Sequence, residues 1–358
     1  MNRSWHSLAL KIHLFGGLVA AVFLLLLGAT GSIMAFESDI DQLLHPSLFQ
    51  VTPVGKALPL DILAANAAAT LGPDERIGIY ILPVKPDLSY GFTVLAAKEL
   101  PRQVFVDGYT GRVLGSLSAL RFVVVVHKLH EAGGILMGCM AILLIPLVLS
   151  GLYLWWPTKQ TKIGTREAGQ GLCFDLHNSV GIFSSLFLLA FAVTGGYMAF
   201  EAWAVPLTYK LSGAKALPEV PLSTPRTRAG AISPERAVAI ARDSLPGAVP
   251  LWIVIPQSQT ASYLVKMRFP EDHSSNGSSV VWVDQYLGMA RAVWNSRTAP
   301  VGRRVETLIR DIHTGDLWGY PSRTMECLIS LCVVVQTITG PYLWWTRRRD
   351  KVRQSEGA

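Results

Sequence analysis

Four of the eight histidines in this chain of 358 residues fall at matching places. His13 opens HLFGGLVAAVFLLLLGATGSIMAFE and His177 opens HNSVGIFSSLFLLAFAVTGGYMAFE, and 11 of these 25 aligned positions are identical. His130, in KLHEAG, and His313, in DIHTGD, each precede an apolar run, one ending SGLYLWWP and the other TGPYLWWT. A lone histidine at a membrane helix end is an ordinary interfacial residue, whereas two on related helices at one depth form a pair that a bundle core can use for ligation. Two imidazoles alone do not complete a tetrahedral zinc site. Copper and non-haem iron call for carboxylate or sulfur as well. Haem brings four nitrogens and needs two axial ligands, so a bis-histidine pair is a complete set. The expectation is two b-type haems, non-covalent because no Cys-x-x-Cys-His occurs. His13 and His177 hold one, His130 and His313 the other, with His127, one helical turn earlier, as an alternative ligand on the face of His130. Gly16 and Gly17 beside His13, Gly181 beside His177 and Gly133 and Gly134 beside His130 leave room for a flat macrocycle, while Leu317 stands at the corresponding place after His313. Glu37 and Glu201 close the two His-led runs and are candidates for a role at the outer haem or a bound substrate. Cys139, Cys173, Cys327 and Cys332 read as small apolar helix residues without assigned chemistry.

The elements that must position these residues are apolar. Half of the chain is hydrophobic and only 16% is charged, against about a quarter in soluble domains. Disorder and a disulfide scaffold are excluded by that composition and by the cysteine count. Uncharged blocks run over Leu14 to Phe36, Gly133 to Trp156, Ser179 to Phe200 and Cys327 to Trp345. Each is long enough to cross about 30 Å of hydrocarbon as a helix, with kinks expected at Pro146 and Pro341. The segments carrying Arg3 and Lys11, Lys159, Lys162 and Arg166, and Arg347, Arg348, Arg349, Lys351 and Arg353 fall on one side, which the positive-inside rule makes cytoplasmic. That reading accounts for the net charge of +7 without a nucleic-acid partner. Trp155-Trp156 and Trp344-Trp345 fit an aromatic belt there.

The segments between the spans also match one another. Residues 59–116 read as a helix (Leu60 to Leu71), strands near Ile77–Pro83, Tyr90–Ala96 and Gln103–Asp107, and a turn within VDGYTG (Val106 to Gly111). Residues 233–294 read as a helix with Ser233 as N-cap and Pro234 at its first position, strands near Leu251–Ile255, Ser262–Phe269 and Ser279–Asp284, and VDQYLG (Val283 to Gly288). Asp107, Tyr109, Asp284 and Tyr286 read as turn residues. The expected fold is an α-helical membrane protein: a four-helix transmembrane bundle from two parallel repeats, each with an inserted periplasmic α+β domain. Its boundaries are 1–36 (N-terminus and first span), 37–126 (first periplasmic domain), 127–156 (second span), 157–178 (cytoplasmic loop), 179–200 (third span), 201–320 (second periplasmic domain), 321–346 (fourth span) and 347–358 (basic cytoplasmic tail).

With LHEAG, IHTGD, the Y-L-W-W endings and helix-plus-strand segments closing in V-D-x-x-T-G, the chain resembles the PepSY-associated transmembrane family of bacterial inner-membrane proteins over nearly all of residues 8–346. VDQYLG departs from the pattern at Leu287, where the family has Thr. The resemblance extends to ferric-siderophore reductases of the FoxB and FpvG type. It implies an oxidoreductase that reduces Fe(III)-siderophore in the periplasm to release iron, with electrons from a separate cytoplasmic or membrane donor. Arg226, Arg228, Arg236, Arg242, Lys266, Arg268, Arg291, Arg297, Arg303 and Arg304 offer either a surface for polar or anionic chelates or a solvated face near lipid headgroups. The alternatives are a transporter for iron or siderophore with its site between repeats, for which the spans lack mid-depth charges, and a non-enzymatic regulatory or inhibitory PepSY membrane protein, which leaves the histidine pairs without a role.

Overall fold

Four runs of apolar residues become four long helices in the computed structural model, which describes residues 3–96, 100–118, 120–157, 170–214, 220–225 and 230–356. Lys159, Lys162, Arg166, Arg226 and Arg228 lie outside the described residues. Among these, four helical stretches are long and apolar enough to cross a membrane: Arg3–Met34, Ile135–Trp155, Gly171–Ala199 and Tyr320–Ser355. The chain divides into two compact units, one of residues 1–36, 126–208 and 308–358 and one of residues 37–125 and 209–307.

The first unit is the bundle. Its first stretch comprises α1 (Arg3–Lys11), a π-helical turn (Ile12–Gly16) and α2 (Gly17–Met34). The other spans are α7 (Ile135–Trp155), α8 (Gln170–Ala199) and α12 (Tyr320–Glu356). The α2 helix packs on α12 and α7, and α8 packs on the same two, so α2 stands diagonally across from α8 and α7 from α12. Ala20, Leu24, Leu147, Leu188, Ile329 and Val333 fill the centre. Gly28 lets α2 approach α12 closely, because a carbon added there would lie 2.8 Å from the Ser330 carbonyl and 3.0 Å from Val333 Cβ. Val19, Val22, Phe183 and Leu186 are exposed, as lipid-facing side chains of a bundle are. Pro146 and Pro341 lie inside α7 and α12 without ending them. The basic residues after Trp345 continue α12 as helix rather than forming a separate tail.

The second unit is a single antiparallel sheet with helices on its faces. It carries α3 (Glu37–Leu44), α4 (Pro46–Phe49), α5 (Leu60–Ala68), β1 (Glu75–Ile81), β2 (Tyr90–Ala96), β3 (Arg102–Val106) and β4 (Val113–Ser118) from one half. The other half supplies α10 (Pro234–Ser244), β5 (Val249–Val254), β6 (Tyr263–Arg268), β7 (Ser279–Val283) and β8 (Ala290–Trp294). Strand order is β4-β3-β2-β1-β5-β6-β7-β8, joined at Ile79↔Val254, Tyr80↔Ile253 and Ile81↔Trp252. The helices α5 and α10 share one apolar core with Phe92, Val104, Ile253, Val265 and Val281. Ser233 caps α10 by accepting the Arg236 N–H at 3.3 Å, with Pro234 at the first position.

Two expectations change. Separate domains at 37–126 and 201–320 are replaced by one sheet, because β1 and β5 are the apolar edge strands of each half and pairing them leaves no open edge between the halves. Each half also has a fourth strand. In β4 the alternation is interrupted by Gly115 at φ +142° and its side chains are half-exposed, while β8 is an outermost strand with no fully buried residue. Edge strands with so little buried surface leave a weak apolar pattern.

Candidate functional site

The two predicted histidine pairs meet. His13 sits in the π-helical turn and His177 in α8, and their ring centroids are 6.0 Å apart, nearly perpendicular at 86°. His130 lies in the last turn of α6 (Phe122–Glu131) and His313 ends α11 (Val301–His313), with centroids 6.4 Å apart. Each pair bridges diagonal corners of the bundle. His130 and His313 reside on short helices ahead of α7 and α12 rather than in the spans. The chain reverses between α6 and α7 at Gly133 (φ +89°) and Gly134 (φ +40°), a conformation that only glycine adopts without strain. Single π turns recur at functional sites.

The sequence reading missed the partner of each ring. His130 Nδ1 lies 2.8 Å from Thr30 Oγ1, His313 Nδ1 3.0 Å from Thr194 Oγ1, and His177 Nδ1 2.8 Å from Thr339 Oγ1. His13 Nδ1 faces the Leu147 carbonyl at 2.9 Å and Ser150 Oγ at 3.3 Å. Each hydroxyl already donates up its own helix: Thr30 to Leu26 O (2.6 Å), Thr194 to Ala190 O (2.8 Å), Thr339 to Val335 O (2.7 Å) and Ser150 to Pro146 O (2.6 Å). A carbonyl has no proton to give, so toward Leu147 O the His13 imidazole is the donor. At the three threonines, a hydroxyl whose proton goes to its own helix carbonyl is left to accept from Nδ1.

Glycine follows each of these hydroxyl residues. A carbon added at Gly31 would lie 3.4 Å from His130 Cε1, at Gly151 3.0 Å from His13 Cε1, at Gly195 2.9 Å from His313 Cε1, and at Gly340 3.2 Å from His177 Cε1. These glycines, across the helix interface, make the space beside the rings. Most of the glycines next to the histidines in sequence do not. Carbons at Gly16, Gly181 and Gly133 would meet Leu147, Gln336 and Leu136 instead, because a residue three or four positions on lies one turn along its own helix. Gly17 and Gly134 border open space. The legible signal was the dipeptide [ST]-G, written four times in the spans as Thr30-Gly31, Ser150-Gly151, Thr194-Gly195 and Thr339-Gly340.

The other candidates separate from the pairs. His127 Nε2 lies 3.3 Å from Glu131 Oε1, with its side chain 40% exposed, so His130 is the member of that turn that meets His313. Glu37 and Glu201 are the first residues of α3 and of α9 (Glu201–Leu211), where a carboxylate faces the positive end of the helix dipole. Glu326, singled out by nothing in its sequence context, is buried in α12. Its Oε1 accepts from Ser330 Oγ at 3.0 Å and lies 3.7 Å from the carbon that Gly31 lacks, on the side of His130. Asp107 and Asp284 are turn residues as read. Asp107 Oδ1 accepts the Tyr109 N–H at 2.8 Å, and Asp284 Oδ1 accepts the N–H groups of Tyr286 and Leu287 at 2.8 and 2.9 Å. The backbone of residue 287 makes that bond, so Leu in place of Thr leaves the turn intact. Burial alone would raise the Asp284 carboxyl. The N–H groups of Leu287, Tyr286 and Thr224 and the Arg291 guanidinium outweigh it and hold the group below its ordinary value. Several of the basic residues are paired within the sheet unit: Arg291 with Asp284 (2.6 Å), Arg297 with Glu271 (2.5 Å) and Arg303 with Glu306 (2.5 Å).

Each histidine pair brings two imidazoles together from different helices of the bundle. Among the described residues no group of three or more His, Cys, Asp or Glu is placed to hold a metal ion. Comparison with curated proteins returns no match. The profile of the PepSY-associated TM region matches residues 10–347, and on that match over nearly its whole length the chain belongs to the PepSY-associated TM region family.

Proposed function

We propose that this chain is a di-haem reductase of the bacterial inner membrane, passing electrons from a cytoplasmic or membrane donor to Fe(III)-siderophore in the periplasm. The observation that carries the reading is the meeting of four histidines in two pairs, each diagonal across the bundle, with ring centroids 6.0 and 6.4 Å apart. At that spacing the two imidazoles of a pair would both reach one metal, whose bonds to imidazole are about 2.0–2.1 Å. Haem, when bound, supplies one-electron Fe(III)/Fe(II) chemistry. The residues supply the rest. His13 and His177 on one side and His130 and His313 on the other would hold the two groups. The 17 residues from His13 to Thr30 set the pairs about 25 Å apart at ~1.5 Å per helical residue. The packed layer of Ala20, Leu24, Leu147, Leu188, Ile329 and Val333 keeps water and ions from the space between. One electron delivered to an Fe(III)-siderophore leaves Fe(II), which the chelator holds far less tightly.

The same reading takes the chain as two parallel repeats with the sheet unit periplasmic and both termini cytoplasmic. Two features support it. Strand order runs outward from the β1–β5 junction in the same sequence on both sides. Arg347 stacks over Phe174 (5.6 Å), Arg348 over Trp344 (5.6 Å) and Arg349 over Trp345 (5.0 Å), an arginine–aromatic girdle of the kind found at the inner interface.

The test is an absorbance spectrum of detergent-purified protein. Sharp b-type bands on dithionite reduction, two haems per chain and anaerobic reoxidation by a ferric siderophore are expected. A preparation that stays colourless after reconstitution with hemin overturns the reading.

A further inference from the structure

We infer that Thr30, Thr194 and Thr339 are positioning residues that set the tautomer of His130, His313 and His177, that the Leu147 carbonyl rather than Ser150 does so for His13, and that the glycine after each of the four hydroxyl residues makes room for the ring. Thr30, Thr194 and Thr339 hold the imidazole proton on Nδ1. At Ser150 the same proton is held chiefly by a neighbouring main-chain carbonyl. The inference rests on the di-haem reading for its redox consequence, and on hydrogen-bond geometry alone for the tautomer.

An isolated neutral imidazole exchanges its proton between the two nitrogens, and only the form with Nδ1–H presents Nε2 as a ligand. A hydroxyl that has given its own proton to the carbonyl four residues earlier can only accept, and so selects that form before any metal arrives. The ring is held by this bond on one edge. On the adjoining edge, at Cε1, glycine leaves the ring room: an added carbon would lie 2.9 Å away at Gly195, 3.0 Å at Gly151, 3.2 Å at Gly340 and 3.4 Å at Gly31. Hydroxyl and glycine are consecutive on one helix turn, so one dipeptide does both. An acceptor on the far nitrogen also raises the basicity of the ligating one and fixes ring orientation, which favours ferric over ferrous iron.

The four seats are not equivalent. Thr30, Thr194 and Thr339 stand 2.8 to 3.0 Å from their imidazoles. At His13 the Leu147 carbonyl is the nearer acceptor, at 2.9 Å against 3.3 Å for Ser150 Oγ. His13 lies in the π turn, and its ring reaches the Leu147 carbonyl of α7 from there. Losing the Ser150 hydroxyl therefore leaves the His13 proton accepted, whereas losing Thr339 leaves the His177 proton without its acceptor.

Two measurements decide this. In haem-free protein labelled with 15N-histidine, the ring nitrogen resonances of His13, His130, His177 and His313 are expected in the Nδ1–H pattern. T339V moves His177 toward the mixed tautomer, T339S restores it, and S150A leaves His13 unchanged. In haem-loaded protein, T339V is expected to raise the midpoint potential of one of two redox waves and to weaken haem retention at that site about 10–100-fold. T339S and S150A stay near wild type. Val is close in shape to Thr, and unchanged thermal unfolding and gel filtration establish that T339V folds. Nε2–H histidines in the haem-free protein, or T339V with wild-type tautomer, potential and haem content, overturn the inference while leaving the di-haem reading standing. A wild-type protein that takes up no haem yet shows four Nδ1–H histidines overturns the di-haem reading and leaves the positioning role intact.

Discussion

At the scale of single residues, the bundle brings four imidazoles together in two pairs, and the difference between neighbouring histidines is sharp. His130 faces His313, while His127 bonds to Glu131 one turn away. H177A and H313A are each expected to leave one haem per chain, and H127A to leave two, as counted by pyridine haemochrome against protein. Loss of both haems from either single replacement would mean that the pairs are not independent sites. In the sheet unit, Asp284 is fully buried and gathers three backbone N–H groups and Arg291. Because its folded carboxyl titrates below the ordinary value of 3.8, its stabilisation is present at neutral pH and is lost as the pH falls below that value. D284N is expected to cost about 1–3 kcal/mol at pH 7 by leaving donors unmatched, and to narrow the stability difference between pH 7 and pH 3 in thermal unfolding. The Asp–x–Tyr turns were legible because an aspartate two residues before a turn has one common use. The hydroxyl partners were not, because threonine in an apolar helix ordinarily bonds to its own backbone, which these four residues also do.

At the scale of elements, close approach of helices sets where the pairs sit. Gly28 lies where α2 crosses α12, with the Ser330 carbonyl at 2.8 Å and Val333 at 3.0 Å from any added carbon. G28V is expected to push these helices apart at a cost of about 1–3 kcal/mol, lowering the thermal midpoint and loosening the seat that Thr30 and Gly31 of α2 give His130. Haem loss from that site ahead of the inner one, on heating, is the measurable sign. The strand junction is a second critical contact. Ile253 is fully buried opposite Tyr80, and I253A is expected to destabilise the sheet unit by about 2–5 kcal/mol, read as faster proteolysis of residues 209–307. The long helices were legible from length and lack of charge. The fourth strand of each half was not, since an edge strand is defined by what it pairs with more than by what it buries.

At the scale of the whole molecule, the proposed orientation makes a prediction that needs no cofactor. On a background with the four native cysteines changed to alanine, N276C in the sheet unit is expected to react with a membrane-impermeant maleimide in intact spheroplasts. S355C at the end of α12 is expected to react only after lysis; the reverse pattern would invert the electron path. By itself, the sequence determined the four spans, the family and the identity of the paired histidines, because apolar length and recurring motifs are one-dimensional patterns. Only the tertiary structure decided that the two α+β segments close into one sheet, that His130 rather than His127 joins His313, and which groups hold the imidazole protons. Those outcomes depend on contacts of about 3 Å between residues 100 to 162 positions apart, a distance that no local pattern of residues encodes.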